Sequence, residues 1–210
     1  MNLEIKNLFE DSKTIARIQK KLPELFQIAN LESMRAGKVG MEVGSIRERI
    51  IVSFFIYKFG EQNIDSNIPI TEPEMDVKIF NDPISIKTKT GTNYSGVKLI
   101  WTVDAQNAKT FMDSYYPSMD MIFVQINWDK QGAIYYLPLE IQREVFDTIG
   151  KAKYIKLPKE GTNPRGVEIM ENALKQICEH NNVYKIPIYW IKSQIDFNQF
   201  DRWVDLWAKN

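Results

Sequence analysis

Apolar residues recur at helical intervals in several long segments of the chain. Residues 12–29 show this spacing, which predicts an opening helix that Pro23 divides or kinks. A second long apolar segment predicts a mostly buried helix with Ser45 as its N-cap and Gly60 at its C-terminal end. The same periodicity predicts further helices over 104–115, 138–149, 166–181 and 198–208.

Short segments rich in β-branched and apolar residues lie between these helices. They predict strands over 68–70, 74–80, 84–88, 121–127, 133–137 and 185–191. Asn81-Asp82-Pro83 predicts a hairpin turn between the second and third of these strands. Residues 32–44 lack any periodicity and hold three glycines, which predicts a mobile surface loop.

The order of these elements predicts an α/β fold in which helices flank a central mixed β-sheet. A chain of 210 residues is long enough to bury a substantial core in one domain. We therefore expect a single domain over residues 1–210, with a helical layer over 1–60 packed on an α/β core over 61–210.

Composition narrows the class of protein further. Hydrophobic residues make up 44% of the chain and charged residues 26%, as in globular proteins. The single cysteine excludes an intrachain disulfide, and we found neither a secretion signal nor a membrane-spanning segment, so a cytoplasmic protein is expected. The formal net charge is zero, which argues mildly against a protein that binds nucleic acid through bulk charge.

Several enzyme classes lack the residues they need. There is no glycine-rich loop of the kind that binds nucleotide phosphates. His180 is the only histidine, so the chain has almost none of the residues that a hydrolase triad or a histidine-rich metal site needs.

The strongest chemical candidate is a pair of residues on the predicted hairpin. Side chains alternate along a strand, so the expected register brings Asp76 close to Lys87. A carboxylate can hold a divalent cation, and a neighbouring lysine can orient the water that attacks a phosphodiester. The alternative is an ordinary hairpin with cross-strand charge pairing.

Glu48 is the candidate for a second carboxylate. It shares a helical stripe with Val52, Phe55 and Phe59, which turns its side chain toward packed structure. The alternative is a capping box, because Ser45 and Glu48 have the spacing in which the glutamate bonds a backbone amide at the start of a helix. Periodicity alone leaves both interpretations open.

Glu48, Asp76 and the Ser85-Ile86-Lys87 segment together resemble the PD-(D/E)xK nucleases, and more narrowly the ThaI-type restriction endonucleases. The spacings of 28 residues from Glu48 to Asp76 and 11 from Asp76 to Lys87 match the catalytic glutamate, aspartate and lysine of that type. Two features depart from the superfamily motif: no Pro-Asp pair precedes the hairpin, and Ser85 replaces the acid two residues before the lysine. Glu48 must then supply the missing charge.

The resemblance implies a type II restriction endonuclease with a PD-(D/E)xK core. It implies that Mg²⁺ is held by Glu48, Asp76 and the backbone carbonyl of Ile86, with Lys87 orienting the attacking water. It further implies cleavage of double-stranded DNA at the centre of CGCG, giving blunt ends with 5′-phosphates. A palindromic target predicts a homodimer with one cutting site for each strand. An enzyme of this type would belong to a restriction-modification pair.

DNA contacts are expected around the glycine-containing segment that precedes Glu48. The resemblance implies that Met41 intercalates into the base stack, with Met34 as a weaker rival. The basic residues expected to contact DNA are Arg35, Lys38, Arg47, Arg49 and Lys89, and Lys98 extends the same basic face.

Two alternative functions stay open at this point: a PD-(D/E)xK nuclease of DNA repair or recombination, and a non-catalytic binding or assembly protein. The aromatic residues of the last helix can pack on the core or on a second subunit, and packing on the core is favoured.

Overall fold

The structure, a computed structural model, describes residues 1–40, 42–69, 72, 74–157 and 166–209. The helices are α1 (Leu3–Glu10), α2 (Ser12–Glu32), α3 (Val43–Phe59), α4 (Ala105–Ser114), α5 (Leu139–Ile149), α6 (Lys151–Tyr154), α7 (Glu171–Cys178) and α8 (Asp201–Ala208). The strands are β1 (Met34–Arg35), β2 (Lys38–Val39), β3 (Ile64–Asp65), β4 (Val77–Ile79), β5 (Asp82–Thr90), β6 (Asp120–Ile126), β7 (Gln131–Leu137), β8 (Ile155–Lys156), β9 (Glu168–Ile169) and β10 (Tyr184–Tyr189).

A six-stranded mixed sheet forms the centre of the fold. Its strand order is β10-β7-β6-β5-β4-β3. Only β5 and β6 pair in parallel, and the other neighbours are antiparallel. The predicted α/β architecture, a mixed sheet flanked by helices, is confirmed.

Two apolar cores lie on the opposite faces of this sheet. On one face, residues of α1, α2 and α3 such as Phe26 and Phe55 pack against Ile122 and Trp190. The other core joins Phe123 to residues from α4 to α7. Each strand contributes side chains to both cores, because the side chains of successive residues point to opposite faces of the sheet. Burial on both faces explains why β6 is apolar along nearly its whole length.

The N-terminal region differs from its sequence-based prediction in three respects. The chain forms α1 before the first predicted helix, and α2 continues through Pro23, which is buried in the helix. Packing of an amphipathic face therefore outweighs the backbone bond that a proline removes. The predicted loop over 32–44 instead contains the β1–β2 hairpin, in which Ala36 and Gly37 both adopt positive φ.

Several element boundaries also differ from the predictions. The strand predicted over 74–80 is confined to β4, and residues 68 and 69 form no strand while Ile70 lies outside the described residues. The helix predicted over 166–181 is divided into β9 and the shorter α7. The described helices include none with the length and apolar character needed to cross a membrane.

Candidate active site

A tight turn between β4 and β5 positions the hairpin. Phe80 and Asn81 both have positive φ, 51° and 70°. These angles are typical of the two-residue hairpin turn whose twist matches the twist of the strands that it joins. The turn therefore lies one residue earlier than the predicted Asn81-Asp82-Pro83. It pairs Val77 with Ile84, and Asp76 continues this register because its N–H donates to the Ile84 carbonyl over 3.0 Å.

This register brings Asp76 and Lys87 together, as their alternation predicted. Lys87 Nζ lies 3.0 Å from Asp76 Oδ2, and the two side chains are only 13% and 14% exposed. The backbone N–H of Ile86 and the Ser85 hydroxyl, at 3.4 Å, also donate to the same oxygen. All three bonds end on Oδ2, so Oδ1 accepts none from the described residues and stays available for a cation.

The carbonyl of Ile86 faces the same edge. Because the Ile86 N–H donates to Asp76, and the N–H and C=O of one strand residue point to the same side, this carbonyl is directed toward the end of β4. Pairing of β4 with β5 covers only Val77 to Ile79 on the β4 side. No residue of β4 therefore bonds this carbonyl.

Glu48 lies beside the pair and does not form the capping box. Helix α3 begins at Val43, two residues before Ser45, and its N-cap makes no side-chain hydrogen bond. Ser45 is thus inside the helix, and the prediction of Ser45 as N-cap is wrong. The Glu48 carboxylate accepts no hydrogen bond from the described residues, whereas Val52 and Phe55 on the same stripe are buried.

The electrostatic environment of Glu48 disfavours its charged form. Burial, followed by the negative charge of Asp76, raises the pKa of Glu48 to about 7, although Lys87 and Arg49 act in the opposite direction. Two carboxylates that repel each other in a partly desolvated site gain stability when a cation lies between them. This electrostatic environment suits the binding of a divalent cation between the two carboxylates.

Glu48 and Lys87 line one open cleft of about 590 Å³. Its other walls come from the start of α3, from the end of β5 and from residues 96–98 and 101. The cleft is large enough for a phosphodiester group with its neighbouring sugar. Donors available for a hard cation are one oxygen of Asp76, the carboxylate of Glu48 and the Ile86 carbonyl, all oxygens as Mg²⁺ requires.

These donors form a small set. Among the described residues, no group of three or more histidine, cysteine, aspartate or glutamate side chains could hold a metal ion. Two carboxylates and a carbonyl nevertheless suit Mg²⁺, which keeps several waters and takes further oxygens from a phosphate. The residues present therefore fit a magnesium ion that is completed by its substrate.

The sequence did not single out Glu74 as a site residue. Burial raises the pKa of Glu74 to about 7, while Lys87, Tyr115 and Ser118 stabilise its charge. The hydroxyls of Tyr115 and Tyr154 are buried, and neither forms a hydrogen bond of good geometry with the described residues. A charged residue two positions before Asp76 was visible in the sequence, but its burial depends on tyrosines distant along the chain.

Trp101 is a second residue that sequence reasoning missed. Its side chain is 58% exposed and lines the same cleft as Glu48 and Lys87. An exposed tryptophan at the entrance of a cleft is unusual for structural packing and typical of a binding surface. The nearby Lys98, a candidate DNA contact, is occupied by an ion pair with Glu168 at 3.2 Å.

The predicted DNA-contacting residues fall into two groups. Arg35, Lys38 and Arg49 are exposed, and Lys89 is partly exposed. Arg47 is buried instead: its guanidinium donates to Thr90 Oγ1 at 3.1 Å and to Asn30 Oδ1 at 2.8 Å. It therefore joins α2, α3 and β5 inside the fold, and we leave it out of the proposed DNA interface.

The two methionines proposed as wedges differ in what the structure describes. Met41 lies outside the described residues. Met34 is in β1 of the exposed hairpin, where it pairs with Val39. Arg35 of the same hairpin forms an exposed ion pair with Glu42 at 3.2 Å, so the hairpin lies next to the start of α3 beside the cleft.

Comparison with known proteins identifies the family. A model of the restriction endonuclease ThaI family matches residues 8–209. A solved structure, a restriction endonuclease in complex with substrate DNA, is 57% identical to the chain with a TM-score of 0.91, and covers 98% of this chain and 99% of that one. No curated protein gave a match. The chain therefore belongs to the ThaI family of restriction endonucleases and is an enzyme of that class, a type II site-specific deoxyribonuclease.

Proposed function

We propose that Glu48, Asp76 and Lys87 form a magnesium-dependent site that hydrolyses one phosphodiester bond of double-stranded DNA. Restriction endonucleases of this kind generally need a divalent metal ion. The proposal is carried by one observation: Lys87 Nζ lies 3.0 Å from Asp76 Oδ2, and Lys87 and Glu48 line the same cleft. We further propose that the enzyme works as one nuclease domain over residues 1–210, in the cytoplasm.

Each side chain has a distinct task in this proposal. Glu48, Asp76 and the Ile86 carbonyl would hold Mg²⁺, which supplies charge neutralisation at the scissile phosphate when bound. Lys87, positioned by Asp76, donates a hydrogen bond that orients the attacking water and stabilises negative charge on the phosphate oxygens. Hydrolysis leaves a 3′-hydroxyl and a 5′-phosphate.

Family membership and the symmetry of a palindromic site support the proposed target and assembly. We propose cleavage at the centre of CGCG to give blunt ends, with Met41 intercalating at a deformable CG step. Arg35, Lys38, Arg49 and Lys89 contact the DNA around the cleft. A palindromic site is cut in both strands by a homodimer, whose two-fold axis coincides with that of the DNA.

Plasmid cleavage by single variants tests the chemistry. Asp76→Asn and Lys87→Ala are each expected to lower the cleavage rate by about 10²–10⁴-fold, because each removes a group that acts on the reacting phosphate. Asp113→Asn and Lys20→Ala change exposed residues of the same types and serve as matched controls. Near-normal cleavage by either site variant, with thermal stability unchanged, would remove the proposed site.

Sequencing of the cut ends tests the specificity. A plasmid treated with the wild-type enzyme and Mg²⁺ is expected to yield discrete fragments whose blunt ends all divide CGCG. Fragments with other end sequences would refute CGCG but leave the three-residue site intact. Cutting without any sequence preference would instead favour the repair or recombination alternative. The non-catalytic alternative is not supported, since the chain belongs to an enzyme family.

A further inference from the structure

Helix α8 exposes an apolar face to solvent. Phe200, Trp203, Val204 and Trp207 have helical i, i+3, i+4 and i+7 spacing. Trp207 is 88% exposed and Trp203 52%, so the expectation that these aromatics pack on the core is wrong for the single chain. A helix of eight residues is marginal in water by itself, and an exposed aromatic patch of this size is typical of a protein interface.

An apolar groove between α2 and α3 is the complementary surface. Ile18, Leu22 and Leu25 of α2 line it together with Phe54 and Tyr57 of α3, and its volume is about 200 Å³. An apolar cavity of about 150 Å³ holds one benzene molecule. The groove therefore has room for a large aromatic side chain such as that of Trp207.

The charges beside these two surfaces are also complementary. Asp201 and Asp205 lie four residues apart on α8, flanking its apolar face. Arg17 and Lys21 lie four residues apart on α2 and border the groove. Opposite charges in matching positions steer association and fix the register of an interface.

Within one chain, α8 does not reach this groove. Arg202 of α8 lies 3.8 Å from Glu32 at the end of α2. Leu25, the residue of the groove nearest this contact, is seven residues before Glu32, which is about 10 Å along the helix axis at 1.5 Å per residue. The two surfaces of a single molecule are thus offset along α2, and Trp207 is exposed to solvent instead of lying in the groove.

We infer that a second copy of this chain covers both surfaces, with α8 of each protomer lying in the α2–α3 groove of its partner. The exchange is reciprocal, as a two-fold axis requires. Three aromatic side chains per helix, each able to bury about 150–250 Å² and each still 52–88% exposed in the single chain, leave on the order of 400 Å² per α8 to be covered. Counting both helices and both grooves, the total is on the order of 1,600 Å², the size of a stable interface. The inference rests on the proposed homodimer but not on its chemistry.

Charge reversal on the two surfaces provides the test, with dimerisation measured by sedimentation in the absence of DNA and metal. The helix variant is Asp201→Lys with Asp205→Lys, and the groove variant is Arg17→Glu with Lys21→Glu. Each variant alone is expected to raise the dimer Kd by about tenfold or more, since like charges then meet at both interfaces. An equimolar mixture is expected to form a heterodimer near wild-type affinity, because each helix then meets a groove of opposite charge.

A further pair of variants tests the aromatic contact. Trp207→Ala is expected to weaken the dimer, whereas Val103→Ala, which alters another exposed apolar side chain, leaves it unchanged. A wild-type dimer that is insensitive to the helix variants, or a mixture that fails to recover, overturns the inference while the homodimer stands. A wild-type chain that stays monomeric at all concentrations without DNA also overturns the inference, and a single protomer on a CGCG duplex in the same experiment would overturn the homodimer as well.

Discussion

Replacing Glu48 by glutamine is expected to stabilise the metal-free protein at alkaline pH. Burial and the neighbouring Asp76 raise the pKa of Glu48 from 4.5 to about 7 in the folded state. The folded protein therefore holds this proton more tightly than the unfolded chain. The stability that the folded state gains from this tighter proton binding is fully present below about pH 4.5 and is lost as the pH rises through about 7. Above that pH, folding leaves a charged carboxylate beside Asp76, and the amide of glutamine removes that charge.

The magnitude follows from the size of this pKa change. A rise from 4.5 to about 7, at about 1.4 kcal/mol for each tenfold change in proton affinity, sets an upper limit of roughly 3.5 kcal/mol. Glu48 is partly exposed, so solvent screening reduces the effect to on the order of 1 kcal/mol. For a chain of this length, that corresponds to a change in Tm of about 2–4 °C.

Thermal unfolding in the presence of a chelator measures the effect. The Glu48→Gln variant is expected to melt above the wild type at about pH 8 and close to it at about pH 5. Added Mg²⁺ is expected to raise the Tm of the wild type more than that of the variant, because a metal ligand has been lost. Glu42→Gln serves as the control, since Glu42 lines the same cleft but pairs with Arg35 at its exposed edge.

The opposite result would refute this reasoning. If Glu48→Gln melts below the wild type at about pH 8 without metal, the carboxylate is stabilising the apo fold, as a helix cap or a salt-bridge partner would. Glu48 would then have no unsatisfied charge to offer a cation. The proposed metal site would lose its second carboxylate, and cleavage would have to depend on Asp76 alone.

Three further predictions concern residues around the site and in the sheet. Glu74→Gln is expected to lower kcat/KM by about 10–100-fold, because it removes a carboxylate that supports Lys87. The Tm of this variant is expected to be equal to that of the wild type or higher at about pH 8, because a buried charge is removed. An unchanged kcat/KM would contradict this prediction. Trp101→Ala is expected to weaken DNA binding, measured by fluorescence anisotropy with Ca²⁺ in place of Mg²⁺, by about 1 kcal/mol or more, as loss of an interface tryptophan does, with no change in Tm. Gly132→Ala is expected to lower stability by about 1–3 kcal/mol, because its added Cβ would clash with the backbone carbonyl of Gln125 and would lie 2.6 Å from Trp190 Nε1; denaturant unfolding checks this.

Sequence patterns predicted those parts of the fold in which burial and periodicity agree. Strands β6 and β7 are apolar along most of their length because both faces of the sheet are covered. Pro23 shows where a prediction from local sequence fails. Proline disfavours the interior of a helix, but packing of α2 against the sheet stabilises the helix through this position. Local rules also failed at Ser45, where a good N-cap residue lies inside a helix that begins two residues earlier.

The candidate site was predictable in part for the same reason. Asp76 and Lys87 are related by a single hairpin, so the alternation of side chains was enough to predict their proximity. Glu48 needed the helical stripe and the resemblance together. Glu74 and Trp101 could not be found this way, because the burial of one and the exposure of the other depend on segments that are distant in sequence.

The serine at position 85 explains why the site depends on tertiary structure. In the superfamily motif an acid at this position and the lysine belong to one strand, so that strand alone brings charge to the metal. Here Ser85 is buried and contributes only a hydroxyl to Asp76, and the second negative charge comes from α3. That charge reaches Asp76 only when α3 is packed on the sheet through Val52 and Phe55. In the proposed site, binding of a divalent cation is therefore expected to be coupled to the docking of α3, whose first residues follow the segment that is proposed to enter the DNA.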